Sequence, residues 1–354
     1  MLSVFKLQCD LFSLARITSS KDGESLENSE ILDKLKQPNP FQGQRQFLWD
    51  YMFWNMFGFS TLWGASKVLT EENNIYWLNT AMIEFPNELQ KKLDKHYFSK
   101  GAVDALLDEY IIYHYSDNTK KKIQLKEIYS FADLSNGLGN WFGSPSALDA
   151  LYKVVSNSEA ALNAKNVNLE FAGKYLVGGD TTAENIYEQP LGKGEQKSIE
   201  DVVTSGKKVT AVKSAISIAR FVDNIAQLEL DKSYFADYYI VGKMYGIPRE
   251  VLEANLDRGS TFTNQSIARA SHVEYTLQPK GDDLTNGIER YFNLTDDLII
   301  SWDHLNFTQE TKKAALENDK LQAETIKILL ESGVSENSIN ELLGTNIIFD
   351  NNNE

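Results

Sequence analysis

The feature that most constrains the fold is a long amphipathic helix predicted in the middle of the chain. Five apolar residues fall on one helical face at about 3.6 residues per turn: Leu148, Leu151, Val155, Leu162 and Leu169. Ser144 and Pro145 supply an N-cap followed by proline at the first helical position, and the helix is expected to run for about 25 residues. A helix this long with one narrow apolar stripe packs beside other helices, in its own chain or in a neighbouring copy.

A second helix is predicted to end abruptly within the stretch YGIPREVLEANLDRGSTFTNQ. Asp231 is placed to cap its start, and Phe235 and Tyr239 fall on one side of it. Gly246 and Pro248 end it, and Pro248 starts a short helical turn. The small polar residues LDRGSTF then predict a loop, because glycine there permits positive φ.

The chain after this loop is predicted to be mostly helical. Thr263 is placed to cap a helix that begins at Asn264, and Pro279 interrupts or kinks that helix. Two further helices follow, of which the first ends at Gly333 and the second starts with Ser335 as its N-cap.

The region before the long helix reads as mixed helix and strand. A helix is expected from 43 to 56, followed by a strand, and a hairpin from 110 to 131 turns at 117–119. Residues 174–212 are rich in glycine and loop-like, with a small hairpin at 205–206, and residues 213–222 fit either a strand or a helix. Four residues of the aromatic helix are expected in the core: Trp49, Phe53, Trp54 and Met56.

Composition excludes several classes of protein. The net charge of −15 argues against a surface that coats nucleic acid, which needs many lysines and arginines. A single cysteine, Cys9, excludes an intramolecular disulfide, and it lies near a terminus that is expected to be loose. No apolar run approaches the roughly 18–20 residues of a membrane span, and no secretory leader is recognisable, so a soluble, unexported protein is expected.

Motifs for catalysis or metal binding are weak throughout. GLGNWFG does not have the spacing of a dinucleotide loop, and LGKGEQKS does not have the order of a phosphate-binding loop. The four histidines are far apart, and Asp296, Asp297 and Asp303 are explained by turns and caps. We therefore expect no catalytic residue, no metal site and no cofactor.

The order of these parts resembles the portal proteins of tailed double-stranded DNA bacteriophages. The resemblance is carried by 144–166, 228–265 and 273–292, by the ending GVSENSINELLG, and by PNPFQGQRQFLWDYMFWNMFG near the start. It implies an α+β portal fold in a ring oligomer. The implied parts are an α/β wing at 1–143, a first stem helix at 144–173, a clip at 174–222, a second stem helix at 223–248, a channel-loop region at 249–263, a kinked helix returning to the wing at 264–304, and a helical crown at 305–354.

The resemblance also implies functional residues. The loop at 255–262 would face a central channel, with possible DNA contacts at Arg258, Gly259, Ser260, Thr261 and Phe262. Gly246, Pro248 and Asn264 would frame this loop. Stem packing would use Leu148, Leu151, Val155, Leu162, Phe235 and Tyr239. Arg258 fits two roles equally, a contact to the DNA backbone or an ion pair at a subunit interface.

The implied partners are those of a portal. About twelve copies would form a ring at one capsid vertex, in contact with the major capsid protein, the terminase large subunit and a head-tail adaptor, while double-stranded DNA passes through. The protein would be found in the virion, and in the host cytoplasm during assembly, without a membrane. The acidic charge either keeps DNA from sticking to the channel or only keeps the protein soluble.

Two other classes of function remain open at this point. One is an acidic cytosolic hydrolase or transferase with dispersed site residues. The other is a binding module in which Trp49, Trp54 and Trp63 line a ligand groove.

Overall fold

The computed structural model describes residues 2–21, 24–26, 29–64, 73–95, 106–133, 146–171, 175–179, 193–194, 197, 201, 216–220, 230–254, 262–335, 338–339 and 342. The chain divides into two compact units. The first unit comprises Met1–Asp149 and Gly242–Glu354, and the second unit comprises Ala150–Val241. Within the described ranges, no helix is both long and apolar enough to cross a membrane.

The helices are α1 Leu2–Phe12, α2 Glu30–Lys36, α3 Gln44–Met56, α4 Asn87–Lys95, α5 Ala147–Phe171, α6 Leu230–Met244, α7 Arg249–Ala254, α8 Phe262–His272, α9 Gln278–Phe292 and α10 Asn306–Glu331. A π-helical segment, Val273–Leu277, joins α8 to α9. The strands are β1 Arg16–Lys21, β2 Glu24–Leu26, β3 Phe59–Gly64, β4 Ile75–Leu78, β5 Ile83–Glu84, β6 Tyr110–His114, β7 Lys120–Gln124, β8 Ile128–Ala132, β9 Tyr175–Gly179, β10 Ile216–Arg220 and β11 Asp297–Ser301.

The strands pair into small antiparallel sheets. In the first unit their orders are β11-β1-β2, β4-β3-β8 and β5-β6-β7, and in the second unit β9 pairs with β10. Helices and antiparallel strands thus occur together, and the predicted α+β class is confirmed. The ambiguous segment at 213–222 contributes a strand, because Ile218 pairs with Val177 in that ladder.

Helix α9 lies at the centre of the first unit. Leu284, Ile288 and Tyr291 are each at most 1% exposed, as their i, i+4, i+7 spacing indicates. The helix packs closely on β8, where a Cβ atom on Gly287 would lie 2.0 Å from Cε1 of Phe131. Only glycine allows this approach, so the sequence sets the distance between helix and sheet.

The aromatic helix α3 occupies 44–56, as predicted, and a strand follows it. The expected core set is only partly right, since Met56 is buried but Trp49, Phe53 and Trp54 are half-buried. The face of α3 that is turned inward instead carries Phe47, Leu48, Tyr51 and Met52. Tryptophan is large and keeps a polar edge, so it often stays at the border of a core.

The hairpin predicted at 117–119 is confirmed. Strands β6 and β7 pair with Ile111 opposite Ile123, and Asn118 takes the left-handed conformation with φ of 65°. Asp117 Oδ1 accepts hydrogen bonds from the backbone N–H of Thr119, at 2.9 Å, and from its hydroxyl, at 2.6 Å. Asparagine tolerates this conformation better than most residues, which is why the turn was recognisable.

Three predicted helix starts are wrong by a few residues. Helix α5 begins at Ala147, where the hydroxyl of Ser146 accepts the backbone N–H of Leu148 at 3.1 Å; Ser144 and Pro145 lie outside the described residues. Helices α6 and α8 begin at Leu230 and Phe262, so the expected caps Asp231 and Thr263 lie within the first turn, as does Asn264. The N–H groups of a first turn have no partner within the helix, so cap residues are tolerated there.

The interruption predicted at Pro279 takes the form of the π-helical segment. Proline has no N–H to donate to the preceding turn, and here it occupies the first turn of α9 while the chain stays helical. The helix expected over 264–304 ends at Phe292, and β11 follows. Near the C-terminus, α10 ends at Glu331 with Gly333 at φ of 82°, in agreement with the predicted stop.

The N-terminal segment is packed, which corrects the expectation of a loose terminus around Cys9. Helix α1 buries Val4, Phe5, Cys9 and Phe12. Burial raises the pKa of the Cys9 thiol, so the thiol stays protonated and unreactive.

Candidate functional site

The turn that ends α6 lies just before α7 and the predicted channel loop. The N–H of Ile247 donates to the carbonyl of Gly242 at 2.9 Å, and the N–H of Gly246 donates to that of Lys243 at 3.0 Å. Gly246 has φ of 71°, and this bond pattern is a Schellman motif. The carbonyl of Pro248 then accepts the N–H of Val251 at 3.2 Å, which opens α7. The predicted stop at Gly246 and Pro248 is confirmed.

Two side chains from the next helical run bind the carbonyl of this glycine. Nδ1 of His272 lies 2.9 Å from the Gly246 oxygen, and Oγ1 of Thr276 donates to the same oxygen at 3.1 Å. A Cβ atom on Gly246 would lie 2.6 Å from Oγ1 of Thr276. We call these three residues the Gly246 clasp. It ties the end of α6 to the junction between α8 and the π-helical segment.

The histidine of the Gly246 clasp is buried and uncharged. His272 is 2% exposed, and burial lowers its pKa to about 4. A carbonyl oxygen only accepts, so the Nδ1 of His272 carries the proton and donates it. Its Nε2 is buried without a hydrogen-bond partner among the described residues. Protonation would therefore place an unpaired charge in the protein interior.

Tyr245 anchors the same turn to the rest of the first unit. Its hydroxyl donates to the carbonyl of Met56 at 3.0 Å, and its ring meets Phe5 edge-on at 5.3 Å. Sequence reasoning did not identify Tyr245, His272 or Thr276 as partners of the turn. His272 and Gly246 are 26 residues apart, and the i, i+4 spacing of His272 and Thr276 was the one available signal.

The loop that this turn precedes lies outside the described residues at 255–261. This range includes Arg258, Gly259, Ser260 and Thr261. Phe262 is the first residue of α8, and Asn264 is exposed in its first turn. The structure therefore gives the two ends of the loop, at Ala254 and Phe262.

The predicted stem residues on α5 differ in exposure along the helix. Leu151 is buried at 4% exposure, Leu148 and Val155 are half-buried, and Leu162 is 47% exposed. Leu169 lies in α5, but its side chain is outside the described set. The apolar stripe therefore becomes more exposed toward the C-terminal half of the helix.

Within the second unit, α5 and α6 are joined by a hydrogen bond from Oγ of Ser158 to Oδ2 of Asp237, at 2.9 Å. Phe235 and Tyr239 on α6 are half-buried, and the ring of Tyr239 lies 6.0 Å from that of Tyr238. Large apolar side chains are exposed on both helices, as Tyr152 and Ile240 illustrate.

Helix α10 carries a further exposed apolar set. None of its 26 residues is buried, and Leu316, Leu321 and Ile328 are each more than 60% exposed. The helix therefore leaves large apolar side chains uncovered by the described part of the chain.

Two of the three aspartates considered for acid–base chemistry form ion pairs. Asp296 lies 3.8 Å from Nζ of Lys21, and Asp303 lies 2.7 Å from that of Lys312. Nε2 of His114 lies 2.6 Å from a carboxylate oxygen of Glu84. In the part of the chain that the structure describes, no group of three or more His, Cys, Asp or Glu residues is placed to hold a metal ion.

Comparison with known proteins gives matches of structure alone. No family model matches the sequence, and no curated protein matches it. A chain from the neck of an empty gene transfer agent particle, computed with C6 symmetry, matches with a TM-score of 0.64 and 13% identity, over 98% of this chain and 90% of that one. The chain shares the fold of this neck component. A chain from the neck of the native particle, computed with C12 symmetry, matches over the same shares with a TM-score of 0.59 and 13% identity.

An HK97-family phage portal protein from Corynebacterium diphtheriae also matches, with a TM-score of 0.49 and 12% identity, over 85% of this chain and 91% of that one. The shared fold rests on the matches to the neck chains, whose TM-scores are 0.64 and 0.59. At these identities a match establishes the fold and not the activity.

Proposed function

We propose that this protein is the subunit of a phage portal ring, which forms the channel for genome packaging and ejection at one capsid vertex. The observation that carries the proposal is the fold shared over 98% of the chain with a component of particle necks computed with C12 and C6 symmetry. The ring would contain about twelve copies. Its location would be the virion, with assembly in the host cytoplasm.

Exposed apolar surface supports a ring. In a cyclic assembly each copy presents two different faces to its neighbours, so part of each helix surface is covered only in the oligomer. Leu162 on α5, Ile240 on α6 and Leu316 on α10 are all at least 47% exposed in the single chain. We assign Leu148, Leu151, Val155, Leu162, Phe235 and Tyr239 to stem packing.

The division into parts follows the resemblance. We assign the wing to 1–143, the stem to 144–173 and 223–248, the clip to 174–222, the returning helix to 264–304 and the crown to 305–354. The major capsid protein, the terminase large subunit and a head-tail adaptor are the proposed partners. The protein has no catalytic role in this scheme.

The Gly246 clasp supports the proposed channel loop at 255–262. It fixes the turn before α7, and Pro248 opens that helix, so the chain enters the loop from a rigid base. Arg258 is the cation assigned either to the DNA backbone or to a neighbouring copy, and Ser260 and Thr261 offer weak contacts to phosphate. Weak contacts suit a channel, because DNA must move through it.

Native mass spectrometry of the purified protein, paired with negative-stain images, tests the ring. We expect annular particles with a mass about twelve times that of the 40.1 kDa chain. A monomer or dimer that does not change with concentration contradicts the proposal. Replacing 255–261 by a Gly-Ser linker separates the loop from the ring: rings should still form, while packaged DNA per particle falls.

A further inference from the structure

An aromatic cleft opens on the face of β3 and β4 that is turned toward the β5-β6-β7 sheet. Its volume is about 240 Å³. Six residues of the first unit form most of its wall: Trp63, Tyr76, Leu78, Tyr113, Tyr115 and Lys121. Portal formation, as proposed above, makes no use of this cleft, which one chain forms by itself.

The walls of the cleft suit an apolar side chain. Trp63 and Tyr76 face each other across β3 and β4, and their rings stack with centroids 5.9 Å apart. Tyr113 and Tyr115 meet edge-on at 5.3 Å, and Tyr115 remains 44% exposed at the rim. Aromatic rings in this arrangement offer large, rigid contact area at little cost in side-chain entropy.

A lysine at the cleft supplies a positive charge. Nζ of Lys121 lies 4.1 Å from the centroid of the Trp63 ring, whereas the neighbouring Lys120 forms an ion pair with Glu84 at 3.7 Å. An ammonium group above an indole face is attracted by the ring and keeps N–H donors for an incoming anion. The cleft therefore combines apolar walls with one available cation.

We infer that the cleft receives a segment of a partner protein in which an aromatic or aliphatic side chain lies next to a carboxylate. The volume is below the roughly 300–1,000 Å³ of small-molecule sites, and it suits a single side chain. Charge complementarity with Lys121 selects an acidic neighbour for that side chain.

Nucleic acid fits the cleft less well. Of the three consecutive lysines of β7, Lys121 lines the cleft, whereas Lys120 pairs with Glu84 at 3.7 Å and Lys122 lies over the ring of Tyr110. A phosphate backbone needs several cations together. A single carboxylate beside an apolar anchor requires only Lys121.

Fluorescence anisotropy of labelled peptides tests the inference on the full-length protein in whatever oligomeric state it adopts. The probe is a short peptide of alternating aspartate and phenylalanine, and its charge-reversed partner has lysine in place of aspartate. We expect saturable binding of the acidic peptide alone. The variant Lys121→Met keeps the side-chain stem and should weaken binding about tenfold. The matched control Lys126→Gln alters an exposed lysine paired with Asp108, and binding should not change.

A second variant tests the cleft at an exposed residue, where a substitution should not disturb folding. Tyr115→Ala removes a rim side chain that is 44% exposed, so the fold should persist while affinity falls several-fold. Equal binding of both peptides, or binding of the acidic peptide that Lys121→Met leaves unchanged, overturns the inference. Competition by an oligothymidylate that is lost in Lys121→Met overturns it as well, because the cleft would then serve nucleic acid. These binding results can be interpreted even if the protein does not form rings.

Discussion

Helices α9 and α10 lie in the same unit but differ in how far their apolar residues are buried. Of the 15 residues of α9, Gly281, Leu284, Thr285, Gly287, Ile288, Tyr291 and Phe292 are buried, whereas none of the 26 residues of α10 is. Packing supplies most of the stability of a helix in a protein. Helix α9 is therefore stabilised by its own chain, whereas Leu316, Leu321 and Ile328 of α10 remain exposed in the single chain.

This difference shows what hydrophobic periodicity can decide. Periodicity indicates which face of a helix is apolar, but it does not say whether the partner surface belongs to the same chain. In the proposed ring, α10 and the exposed half of α5 are covered by neighbouring copies. Substitutions of matched residues on α9 and α10 test this difference.

The largest effect is expected from truncating matched isoleucines. Ile288 on α9 is fully buried, and Ile328 on α10 is 61% exposed. Ile288→Ala should lower the free energy of unfolding by about 2–5 kcal/mol, since it leaves a cavity, whereas Ile328→Ala should change it by less than about 0.5 kcal/mol. Urea unfolding of the dissociated chain measures both.

The same pair distinguishes packing within the chain from packing between copies. Ile328→Ala should weaken ring formation while the single chain stays as stable as the parent. An equal loss of stability in both variants would show that Ile328 packs within its own chain.

The next largest effect concerns the pH dependence that His272 confers. Its pKa falls from an ordinary value near 6.5 to about 4, so between these values the unfolded chain binds more protons than the folded one. Stability should therefore be complete above about pH 6.5 and decline as the pH falls toward 4, by about 3 kcal/mol in all. Urea unfolding at several pH values measures this slope.

The variant His272→Gln isolates this contribution, because glutamine can donate to the Gly246 carbonyl and does not titrate. The slope between pH 6.5 and 4 should be smaller in His272→Gln than in the parent. If His272→Gln shows the slope of the parent, His272 is not the group responsible.

A smaller effect separates backbone strain from close contact. Gly246 and Gly333 both have positive φ, of 71° and 82°, but a Cβ atom meets Thr276 at Gly246 and nothing within 4 Å at Gly333. Gly333→Ala should cost about 1 kcal/mol from backbone strain alone, and Gly246→Ala should cost about 2–3 kcal/mol. Thermal unfolding of the two variants measures the difference, and equal costs would show that Thr276 yields without strain.

The sequence predicted those parts of the fold that local chemistry controls. Glycine at positive φ marked the end of α6, Asn118 marked the hairpin, and apolar spacing marked α5. Long-range contacts were not predictable. Nothing in the pattern joins His272 to Gly246 or places Trp49 outside the core, because these depend on which surfaces meet after folding.

The candidate site also has one part that the sequence predicts and one part that it does not. Its base, from Gly246 through α7, follows from turn and cap preferences, whereas its clasp depends on the π-helical junction 26 residues later. Of the three tryptophans considered as the lining of one ligand groove, Trp49, Trp54 and Trp63, only Trp63 lines the aromatic cleft. Trp49 and Trp54 lie around Phe53 on α3, and Trp63 stacks on Tyr76 in the aromatic cleft.

A cryo-electron microscopy reconstruction of the assembled protein without imposed symmetry tests the proposed ring most directly. We expect a closed ring of about twelve copies, with α10 and the exposed half of α5 against neighbouring subunits and the loop at 255–261 facing the central opening. A compact monomer, or a ring in which this loop lies on the outer surface, would contradict the proposed function.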